Sequence, residues 1–465
     1  MVSLIRSTES FRDRSGEIYF DGGGHIYRSV NRAAAANYEI LKDRSFFERA
    51  TAAGFFVGGR EVDVSSLKSE TNDAYYLIEH PRLSFISYPY EWSFAQLRAA
   101  ALLHLDLQIF ALDGGVALSD ASAYNVQFIG ARPVFIDLLS FRPYQEGEYW
   151  AGQRQFSEQF LNPLLMRSLL GIAHNAWFRG NLEGIPVSDL AGLIPFSRKF
   201  SWNILWHVVL PSRLQRTAGR RNVGTATGEM RPLPRGAFRR MLVSLRSYID
   251  GLEPADDQPS AWRDYANDNI YAAGETERKR RIVADFANQV RPQCLWDLGC
   301  NTGAYAEVAI RAGAGEVIGL DTDPQSLDRA FQRARDHALP LIALHIDAAN
   351  PSPGQGWNGA ERKSLKARAD GDALLALAFV HHLAIGRNIP LDWVLEWLVD
   401  LAPTGLIEFV PKDDPTVRRM LVLRQDIFND YSETAFATVL GNLARIRHVE
   451  TISQSGRKVY WYDRS

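Results

Sequence analysis

The chain has 465 residues, of which 46% are hydrophobic and 23% are charged, and its formal net charge is −2. This length predicts two or three domains with cores of ordinary size. The near-neutral charge separates the molecule from the strongly basic proteins that bind nucleic acids, so a nucleic acid partner is not expected.

Cysteine content and the N-terminus indicate the compartment. The two cysteines, Cys294 and Cys300, form neither a metal-binding pair nor a disulfide framework, which is typical of a reducing compartment. The opening residues MVSLIRSTESFRDRS lack the apolar core of a signal peptide, and no apolar run has the length of a membrane span. The sequence therefore predicts a cytoplasmic protein without a membrane span.

The N-terminal part mixes short strands with helices. Apolar-rich runs on both sides of a glycine turn predict a hairpin, and apolar residues at helical spacing predict two helices, the second capped by Ser93. A β-rich run that reaches Pro89 predicts a further strand. In chain order these are a hairpin at 17–20 and 25–30, a helix at 37–53, a strand from 83 to Pro89, and a helix at 93–112. Two short strands are expected in the loop that follows.

The composition shifts toward arginine between residues 213 and 246. Nine arginines stand there against one acid, Glu229, with glycines and prolines between them. This stretch indicates a solvated linker or an exposed basic helix; the alternative is an anion-binding role toward phosphate, a lipid head group or nucleic acid. With the mostly helical stretch before it, it forms a predicted extension and linker over 166–260, between domains at 1–165 and 261–465.

Strands and helices alternate regularly in the last 200 or so residues, which predicts an α/β fold with a parallel sheet and helices on both faces. The final two strands are joined by a hairpin, so one edge of this sheet is expected to be antiparallel. The predicted strands are 293–298, 316–320, 341–346, 373–380, 404–410, 444–452 and 457–463, and the predicted helices are 275–290, 303–312, 324–337, 390–401, 413–427 and 433–441. A Pro/Gly-rich insertion at 350–360 interrupts the pattern.

A glycine turn, DLGCNTG at 297–303, joins the first of these strands to a helix. Glycines let the backbone approach a ligand closely, and the helix N-terminus offers free N–H groups. The Gly-x-x-x-Gly spacing differs from that of dinucleotide sites, which disfavours a nicotinamide dehydrogenase. Acids end the next two strands, where carboxylates can bind a ribose diol and an adenine amino group. The expected cofactor-binding residues are Asp297, Gly299, Asn301, Gly303, Asp321 and Asp347.

Residues 262–465 resemble the class I S-adenosylmethionine-dependent methyltransferases in three motifs: the glycine turn, GLDTD at 319–323 and HID at 345–347. The resemblance implies a Rossmann-like seven-stranded sheet whose last strand is antiparallel. It also implies that the two glycines border the methionine part of the cofactor, while Asp321 holds the ribose and Asp347 the adenine amine.

Two tyrosines precede the first strand of this region. Tyr265 and Tyr271 lie in WRDYANDNIYAAGETERK, and an aromatic face there would favour a sulfonium cation by roughly 0.5–2 kcal/mol. Ordinary packing is the equal alternative.

Three residues near strand ends are candidates for the chemistry of methyl transfer. His381 and His382 end the predicted fourth strand, where an imidazole could take a proton from a hydroxyl or an amine. Glu408 in the fifth strand could line the acceptor pocket. Positioning alone can supply several kcal/mol, up to ~7–11, so a base is not required; a structural role for both histidines is the alternative.

A second motif lies in the N-terminal part. Asp120 and Asn125 have the Asp-x-x-x-x-Asn spacing of a kinase catalytic loop, and Asp137 follows at the position of a metal-binding acid. Residues 17–165 resemble a divergent protein-kinase or aminoglycoside-phosphotransferase fold, which implies an α+β domain. If active, Asp120 would orient the acceptor, and Asn125 and Asp137 would hold magnesium beside ATP.

Departures from the kinase pattern favour a degenerate, pseudokinase-like scaffold. Ser119 stands where kinases have the arginine of His-Arg-Asp, and Leu-Leu follows Asp137 in place of Phe-Gly. No lysine lies on a clear third strand, so Arg28 or Arg32 would have to serve. A small α/β domain with chance acids is the alternative.

The two halves together resemble bacterial class I methyltransferases akin to rhizobial host-specificity nodulation proteins. The segments that carry this resemblance are SYPYEWSF (87–94), DASAYNVQF (120–128), PVFIDLLSF (133–141), FLNPLL (160–165), WDLGCNTG (296–303), NPSPGQGW (350–357), VHHLAI (380–385) and EFVPKDDP (408–415). A methyltransferase acting on an oxygen or nitrogen of a small or carbohydrate-like acceptor is the leading hypothesis. The alternatives are a bifunctional methyltransferase with phosphotransferase activity and a non-catalytic N-terminal binding module. No motif specifies the acceptor or an oligomeric state.

Overall fold

The computed structural model describes residues 4–64, 73–195, 204, 232–255, 273–422 and 424–464. The chain divides into two compact units, an N-terminal unit of Met1–Asp257 with Gln355–Arg362 and a C-terminal unit of Gln258–Gly354 with Lys363–Ser465. The predicted cofactor-covering residues Tyr265 and Tyr271 lie outside the described residues, as does most of the arginine-rich stretch. Residues 355–362, which overlap the predicted insertion at 350–360, belong to the N-terminal unit, although the chain on both sides of them belongs to the C-terminal unit.

Nine strands are described in the N-terminal unit. They are β1 (Ile5–Arg6), β2 (Ile18–Phe20), β3 (Ile26–Asn31), β4 (Arg60–Val62), β5 (Ala74–His80), β6 (Val116–Leu118), β7 (Val126–Ile129), β8 (Arg132–Phe135) and β9 (Phe141–Pro143). The first five form an antiparallel sheet in the order β1-β2-β3-β5-β4, and two-stranded ladders join β6 to β9 and β7 to β8. Tyr19 pairs with Tyr27 across β2 and β3, which confirms the predicted hairpin.

Eight α-helices are described in the N-terminal unit, and the longest of them packs against the last. They are α1 (Arg32–Asp43), α2 (Phe46–Ala52), α3 (Phe94–Asp113), α4 (Gln153–Phe156), α5 (Asn162–Leu170), α6 (Asn175–Gly180), α7 (Val187–Leu193) and α8 (Arg235–Asp250), with a π-helical turn at Ser157–Leu161 between α4 and α5. The predicted cap of α3 is confirmed, since Ser93 and Gln96 form a capping box.

Two N-terminal predictions differ from the structure. The helix predicted at 37–53 is two helices, because Ser45 adopts a left-handed φ of 48° between α1 and α2. The strand predicted from 83 to Pro89 is irregular chain that ends in a 3₁₀ turn at Pro89–Glu91. The side chain of Gln127 accepts from Ser87 N at 2.9 Å and donates to Ser87 O at 3.0 Å, so it satisfies backbone groups that a neighbouring strand would otherwise pair.

Two described arginines of the basic stretch form ion pairs within the unit. Helix α8 buries Phe238, Leu242 and two further apolar residues on one face. Arg239 of this helix pairs with Asp113 and Arg246 with Asp106, both on α3, in bidentate contacts of 2.7–3.1 Å. The basic helix that was predicted to be exposed is therefore packed on one face, and these two arginines form ion pairs with acids.

A mixed seven-stranded sheet forms the core of the C-terminal unit. Its strands are β10 (Cys294–Leu298), β11 (Glu316–Asp321), β12 (Leu341–His345), β13 (Ala373–Ala376), β14 (Thr404–Phe409), β15 (Arg445–Thr451) and β16 (Lys458–Asp463). Its helices are α9 (Ala273–Val290), α10 (Ala304–Arg311), α11 (Pro324–Asp336), α12 (Leu365–Arg368), α13 (Val380–Ala384), α14 (Leu391–Leu401), α15 (Pro415–Leu421) and α16 (Glu433–Leu443).

The strand order is β12-β11-β10-β13-β14-β16-β15, with the first five strands parallel and β16 antiparallel to both of its neighbours. This confirms the α/β class, the seven strands and the antiparallel edge. The order reverses direction at β10, and ligands of such sheets bind beyond the carboxyl ends of the strands at this switch point. Among the described residues, no helix combines the length and apolar character that a membrane crossing requires.

The predicted fourth strand is shorter than expected. Strand β13 ends at Ala376, and the chain turns through Ala378, whose φ is 50°. His381 and His382 consequently lie on the short helix α13 rather than at a strand end. The apolar run would be buried either as one long strand or as the observed strand, turn and helix. The hydrophobic pattern alone therefore could not locate the end of the strand.

Candidate functional site

The glycine turn after β10 is a tight, left-handed loop at the switch point. Gly299 and Gly303 have φ of 75° and 72°, and Asn301 between them has 50°. A side chain at Gly303 would place its Cβ 2.9 Å from Leu341 Cδ2, and one at Gly299 would place it 3.2 Å from Phe379 Cδ2. Both glycines are therefore required by conformation and by space.

Asp321 at the end of β11 fastens this turn to the second strand. Its Oδ2 accepts the Asn301 N–H at 2.8 Å, and its Oδ1 accepts the N–H groups of Thr322 at 2.7 Å and Asp323 at 2.9 Å. Burial raises the pKa of Asp321 above its ordinary value, against the lowering effect of these three bonds. A carboxylate offers about four lone-pair sites, so Oδ2 has room for one more donor.

Asp297 within β10 has a carboxylate oxygen without a partner. The side chain is 2% exposed, accepts from the Ala306 backbone, and leaves Oδ2 unbonded. Burial, followed by the negative charge of Asp321, raises the pKa of Asp297 to about 7. A buried acceptor of this kind beside a glycine cradle fits a cationic ligand that donates hydrogen bonds. The site therefore fits S-adenosylmethionine, which carries a sulfonium and an ammonium group.

Asp347 lies just beyond β12 and is already engaged. Its Oδ2 is 3.2 Å from the guanidinium of Arg387, and its Oδ1 accepts the Ala349 N–H at 2.9 Å. Strand β12 pairs in register with β11, with Asp321 opposite His345, so the acids that end these strands lie at the same edge of the sheet. The structure thus places the predicted adenine-binding acid on this edge, with a surface arginine on it.

The two histidines of α13 have different surroundings. His381 is fully buried and neither ring nitrogen has a hydrogen-bond partner; burial, then the charge of His382, lowers its pKa well below the ordinary value. His382 is partly exposed, and burial followed by the charge of Arg457 lowers its pKa to about 4. Both rings are neutral at neutral pH, and only His382 has surface that an acceptor can reach.

Glu408 on β14 is buried in a group of charged side chains. Its Oε2 is 2.7 Å from Lys279 Nζ and accepts the Ala378 N–H at 2.9 Å, while its Oε1 is 3.4 Å from a guanidinium nitrogen of Arg457. The side chain is 0% exposed. In this structure it contacts protein groups on both oxygens.

In the N-terminal unit, the predicted kinase-like residues meet in one acid cluster, defined by Asp120, Asn125, Asp137, Ser140 and Arg28. Asn125 Nδ2 is 3.3 Å from oxygens of both acids, and Arg28 from β3 lies 3.1 Å from Asp137 Oδ1. Burial, then the charge of Asp137, raises the pKa of Asp120 to about 6. Among the residues that the structure describes, no three His, Cys, Asp or Glu side chains are grouped as a metal site, so a cation here would depend on two acids and an amide.

Ser140 lies between the two carboxyl groups of the acid cluster. Its Oγ is 2.8 Å from Asp120 Oδ1 and 2.5 Å from Asp137 Oδ2. Asn125 Nδ2 in turn lies 3.4 Å from Ser140 Oγ. Ser140 and Asn125 thus link the two carboxyl groups of the cluster.

The loop that carries Asp120 is held from behind by glutamines. Gln155 Oε1 accepts the Ala121 N–H and Gln159 Oε1 accepts the Ala123 N–H, both at 2.8 Å. Gln159 lies in the π-helical turn at Ser157–Leu161, and such turns are frequent at functional sites. The two glutamines thus pair backbone N–H groups of this loop.

The segment at 355–362 contacts residues close in sequence to members of this cluster. Glu361, 4% exposed, forms a bidentate pair with Arg12 at 2.5 and 3.0 Å, and the Arg362 guanidinium lies 4.3 Å from the centre of the Tyr124 ring. Arg12 precedes Asp13, which pairs with Arg28, and Tyr124 precedes Asn125. Two adjacent residues of this segment thus contact sequence neighbours of Asp13 and Asn125.

Comparison with known proteins shows a full-length relative. The chain is 45% identical over 461 residues to nodulation protein NoeA of Rhizobium meliloti (strain 1021), covering 99% of this chain and 96% of that protein. The chain belongs to the NoeA family. No protein-family model matches it.

Methyltransferases are similar to part of this NoeA-family chain. Over 151 residues, 32% of the chain, it is 32% identical to the ribosomal protein L11 methyltransferase of Dechloromonas aromatica (strain RCB), of which 48% is covered. The solved N-methyltransferase NodS from Bradyrhizobium japonicum WM9 is 12% identical, with a TM-score of 0.30, over 42% of this chain and 98% of NodS. The NoeA-family chain is an S-adenosylmethionine-dependent methyltransferase, with the seven-stranded sheet and glycine turn described above.

Several residues of these sites were not found by sequence reasoning. They are Lys279 and Arg457 beside Glu408, and Ser140, Gln155 and Gln159 around the acid cluster. A signal existed for Ser140, which follows Asp137 by three residues within PVFIDLLSF at 133–141. The others come from distant segments and had none.

Proposed function

We propose that the C-terminal unit binds S-adenosylmethionine at the glycine turn and transfers its methyl group to an oxygen or nitrogen of a small or carbohydrate-like acceptor. The observation that carries the proposal is the bond between the Asn301 N–H and Asp321 Oδ2. It joins the left-handed glycine turn to the acid of the next strand, so that both border one ligand position at the switch point of the sheet.

Each predicted cofactor residue has a proposed task. The remaining lone pair of Asp321 Oδ2 would accept a ribose hydroxyl, and Asp347 would exchange Arg387 for the adenine amino group. The unbonded Oδ2 of Asp297 would face the positive charge of the methionine part, across the space that Gly299 and Gly303 leave open. When bound, the cofactor supplies an electrophilic methyl group; the chain's own contribution is to orient the acceptor and exclude water.

His382 is the proposed base where the acceptor needs one. It is neutral at neutral pH and partly exposed, whereas His381 is enclosed and would act through packing. A base with a pKa of about 4 is weak, so an acceptor that is already nucleophilic suits this site better than an unactivated hydroxyl. The names of the relatives suggest nodulation and a protein acceptor as two contexts to test. The cytoplasm, where the two free cysteines stay reduced, is the proposed location.

Calorimetry with S-adenosylmethionine and S-adenosylhomocysteine tests the proposal without knowledge of the acceptor. Full-length protein should bind both, and Asp321→Ala should weaken binding at least about tenfold, or ~1.4 kcal/mol. The matched control is Asp336→Ala, an exposed acid on α11 whose loss should leave the affinity unchanged. Failure of the folded wild-type protein to bind either compound would refute the proposal.

A second activity is proposed for the acid cluster: binding of a nucleoside triphosphate with magnesium, as a divergent kinase-like domain would. The favouring observation is that Arg28 on the third strand contacts Asp137, so a cation occupies the place where kinases carry a lysine. Magnesium and ATP should raise the thermal midpoint of the wild-type protein, and Asp137→Asn should abolish the rise while Asp106→Asn keeps it. An unchanged midpoint in the wild-type protein would contradict this activity.

The remaining alternative is an N-terminal unit that only binds a partner or the acceptor. It predicts that alanine at Asp120, Asn125 and Asp137 leaves methylation of the identified acceptor intact. Labelled S-adenosylmethionine, incubated with the protein and host extract, would provide that acceptor. A methyl transfer rate that depends on magnesium, ATP and these three residues would instead support the bifunctional enzyme.

A further inference from the structure

Four charged side chains are buried together in the C-terminal unit. Lys279 from α9, Glu408 from β14, Asp414 before α15 and Arg457 before β16 are 2%, 0%, 1% and 2% exposed. Arg457 binds Asp414 in a bidentate pair at 2.6 and 2.7 Å, and Glu408 lies between Lys279 and Arg457. We call these four residues the buried ion network.

Stability alone is a poor reason for such a network. The two cations and two anions balance, so no net charge is buried, but removing each ion from water is costly. Replacing buried ion pairs with apolar residues of similar volume is often neutral or stabilising. The network is therefore better explained by the geometry that it imposes.

The buried ion network is hydrogen-bonded to the turn after β13. The Ala378 N–H donates to Glu408 Oε2 at 2.9 Å, and Ala378 is held at a φ of 50°, a conformation that alanine rarely adopts. Backbone in such regions persists only when its surroundings hold it, and it concentrates at functional sites. The Lys279–Glu408 pair supplies that hold, because Lys279 fixes the carboxylate that receives the N–H.

The turn through Ala378 positions a side chain that contacts the glycine turn. Phe379 follows Ala378, and its Cδ2 lies 3.2 Å from the position that a Cβ on Gly299 would take. Phe379 also stacks on Trp397, with ring centres 6.5 Å apart. The chain of contacts thus runs from Lys279 through Glu408 and Ala378 to Phe379 and the glycine turn.

We propose that Lys279 and Glu408 are positioning residues for cofactor binding: their ion pair holds the Ala378 turn, which keeps Phe379 against Gly299. This assigns Glu408 a role behind the site instead of in the acceptor pocket. The inference rests on the proposed cofactor site, and its test separates the two. If the wild-type protein binds no cofactor, the proposed function fails; if the wild-type binds and the variants below bind equally well, only this inference fails.

The decisive variant is the double substitution Lys279→Met with Glu408→Gln. It removes one buried charge of each sign, so it leaves no unpaired ion, and glutamine keeps an oxygen for the Ala378 N–H. In the full-length protein it should weaken S-adenosylhomocysteine binding about tenfold by calorimetry, or ~1.4 kcal/mol. Lys279→Arg, which keeps the cation, should bind more tightly than the double variant. The control Arg447→Met removes an exposed charge from β15 and should bind as the wild type does.

Amide hydrogen exchange provides a readout that a purely stabilising role would not change selectively. The double variant should exchange faster at 376–384 and 297–303 than in the remainder of the sheet. Faster exchange throughout the unit, or unchanged affinity in the folded variant, would overturn the proposal. Should the double variant not fold, Phe379→Ala takes its place, because this half-buried ring is the last contact before the glycine turn; wild-type affinity in that variant would equally overturn it.

Discussion

Asp297→Asn is the substitution for which the structure gives a magnitude. Burial holds the pKa of Asp297 at about 7, against an ordinary value of 3.8. At ~1.4 kcal/mol per pKa unit, the ionised carboxylate costs the folded state about 4 kcal/mol well above pH 7. An acid whose pKa is raised by folding loses stability as the pH rises from its unfolded to its folded value, here from 3.8 to about 7.

Between pH 5 and pH 8 this linkage should remove about 2.5 kcal/mol from the stability of the wild-type protein, a slope that Asp297→Asn lacks. At 2–4 °C per kcal/mol, the thermal midpoint of the variant should gain roughly 5–10 °C on the wild type over this range. Asparagine adds a buried amide that changes stability by itself. The difference in thermal midpoint between the two proteins at one pH is therefore not informative, but the change of that difference with pH is. Parallel midpoint curves for the two proteins would refute the burial argument.

The cofactor should act on the same carboxylate. Positive charge placed beside Asp297 lowers its pKa, so S-adenosylmethionine binding at pH 6 should release a proton and tighten as the pH rises. Calorimetry in two buffers with different ionisation enthalpies measures this release. The exposed variant Asp336→Asn should release as many protons as the wild type, and Asp297→Asn should release fewer; equal release from all three proteins would contradict the assignment.

Three further outcomes follow from the packing. Gly303→Ala, forced to a φ of 72° with its Cβ 2.9 Å from a leucine, should cost at least about 1 kcal/mol in chemical denaturation, whereas Gly22→Ala, which meets open space, should cost less than about 0.5 kcal/mol. His381→Leu removes two unbonded buried nitrogens and should leave stability unchanged or raise it by about 1 kcal/mol; a clear loss would mean that the ring has a partner. Arg246→Met, at a half-exposed ion pair, should lower the free energy of unfolding by less than about 1 kcal/mol. Leu242→Ala on the same helix should lower it by about 2–5 kcal/mol. The reverse ranking would argue against the packed interface.

The C-terminal fold was predictable because its signals are local. Apolar strands alternate with amphipathic helices, and right-handed crossovers then leave few possible sheets. The glycine turn and Asp321 were equally accessible, since a strand, a turn and the next strand end lie within one contiguous segment. The predicted strand at 373–380 was wrong at its end, because Ala378 turns the chain with a hydrogen bond to Glu408, thirty residues away.

The sequence by itself determined the class of the sheet, the position of the glycine turn and the spacing of Asp120, Asn125 and Asp137, since each depends on residues within a short stretch. Only the tertiary structure decided which side chains stand behind them. Lys279 reaches Glu408, Arg28 reaches Asp137 and Glu361 reaches Arg12 across long sequence separations. These contacts depend on how whole helices and strands pack. The sequence around a charged residue does not show which distant residue it will pair with.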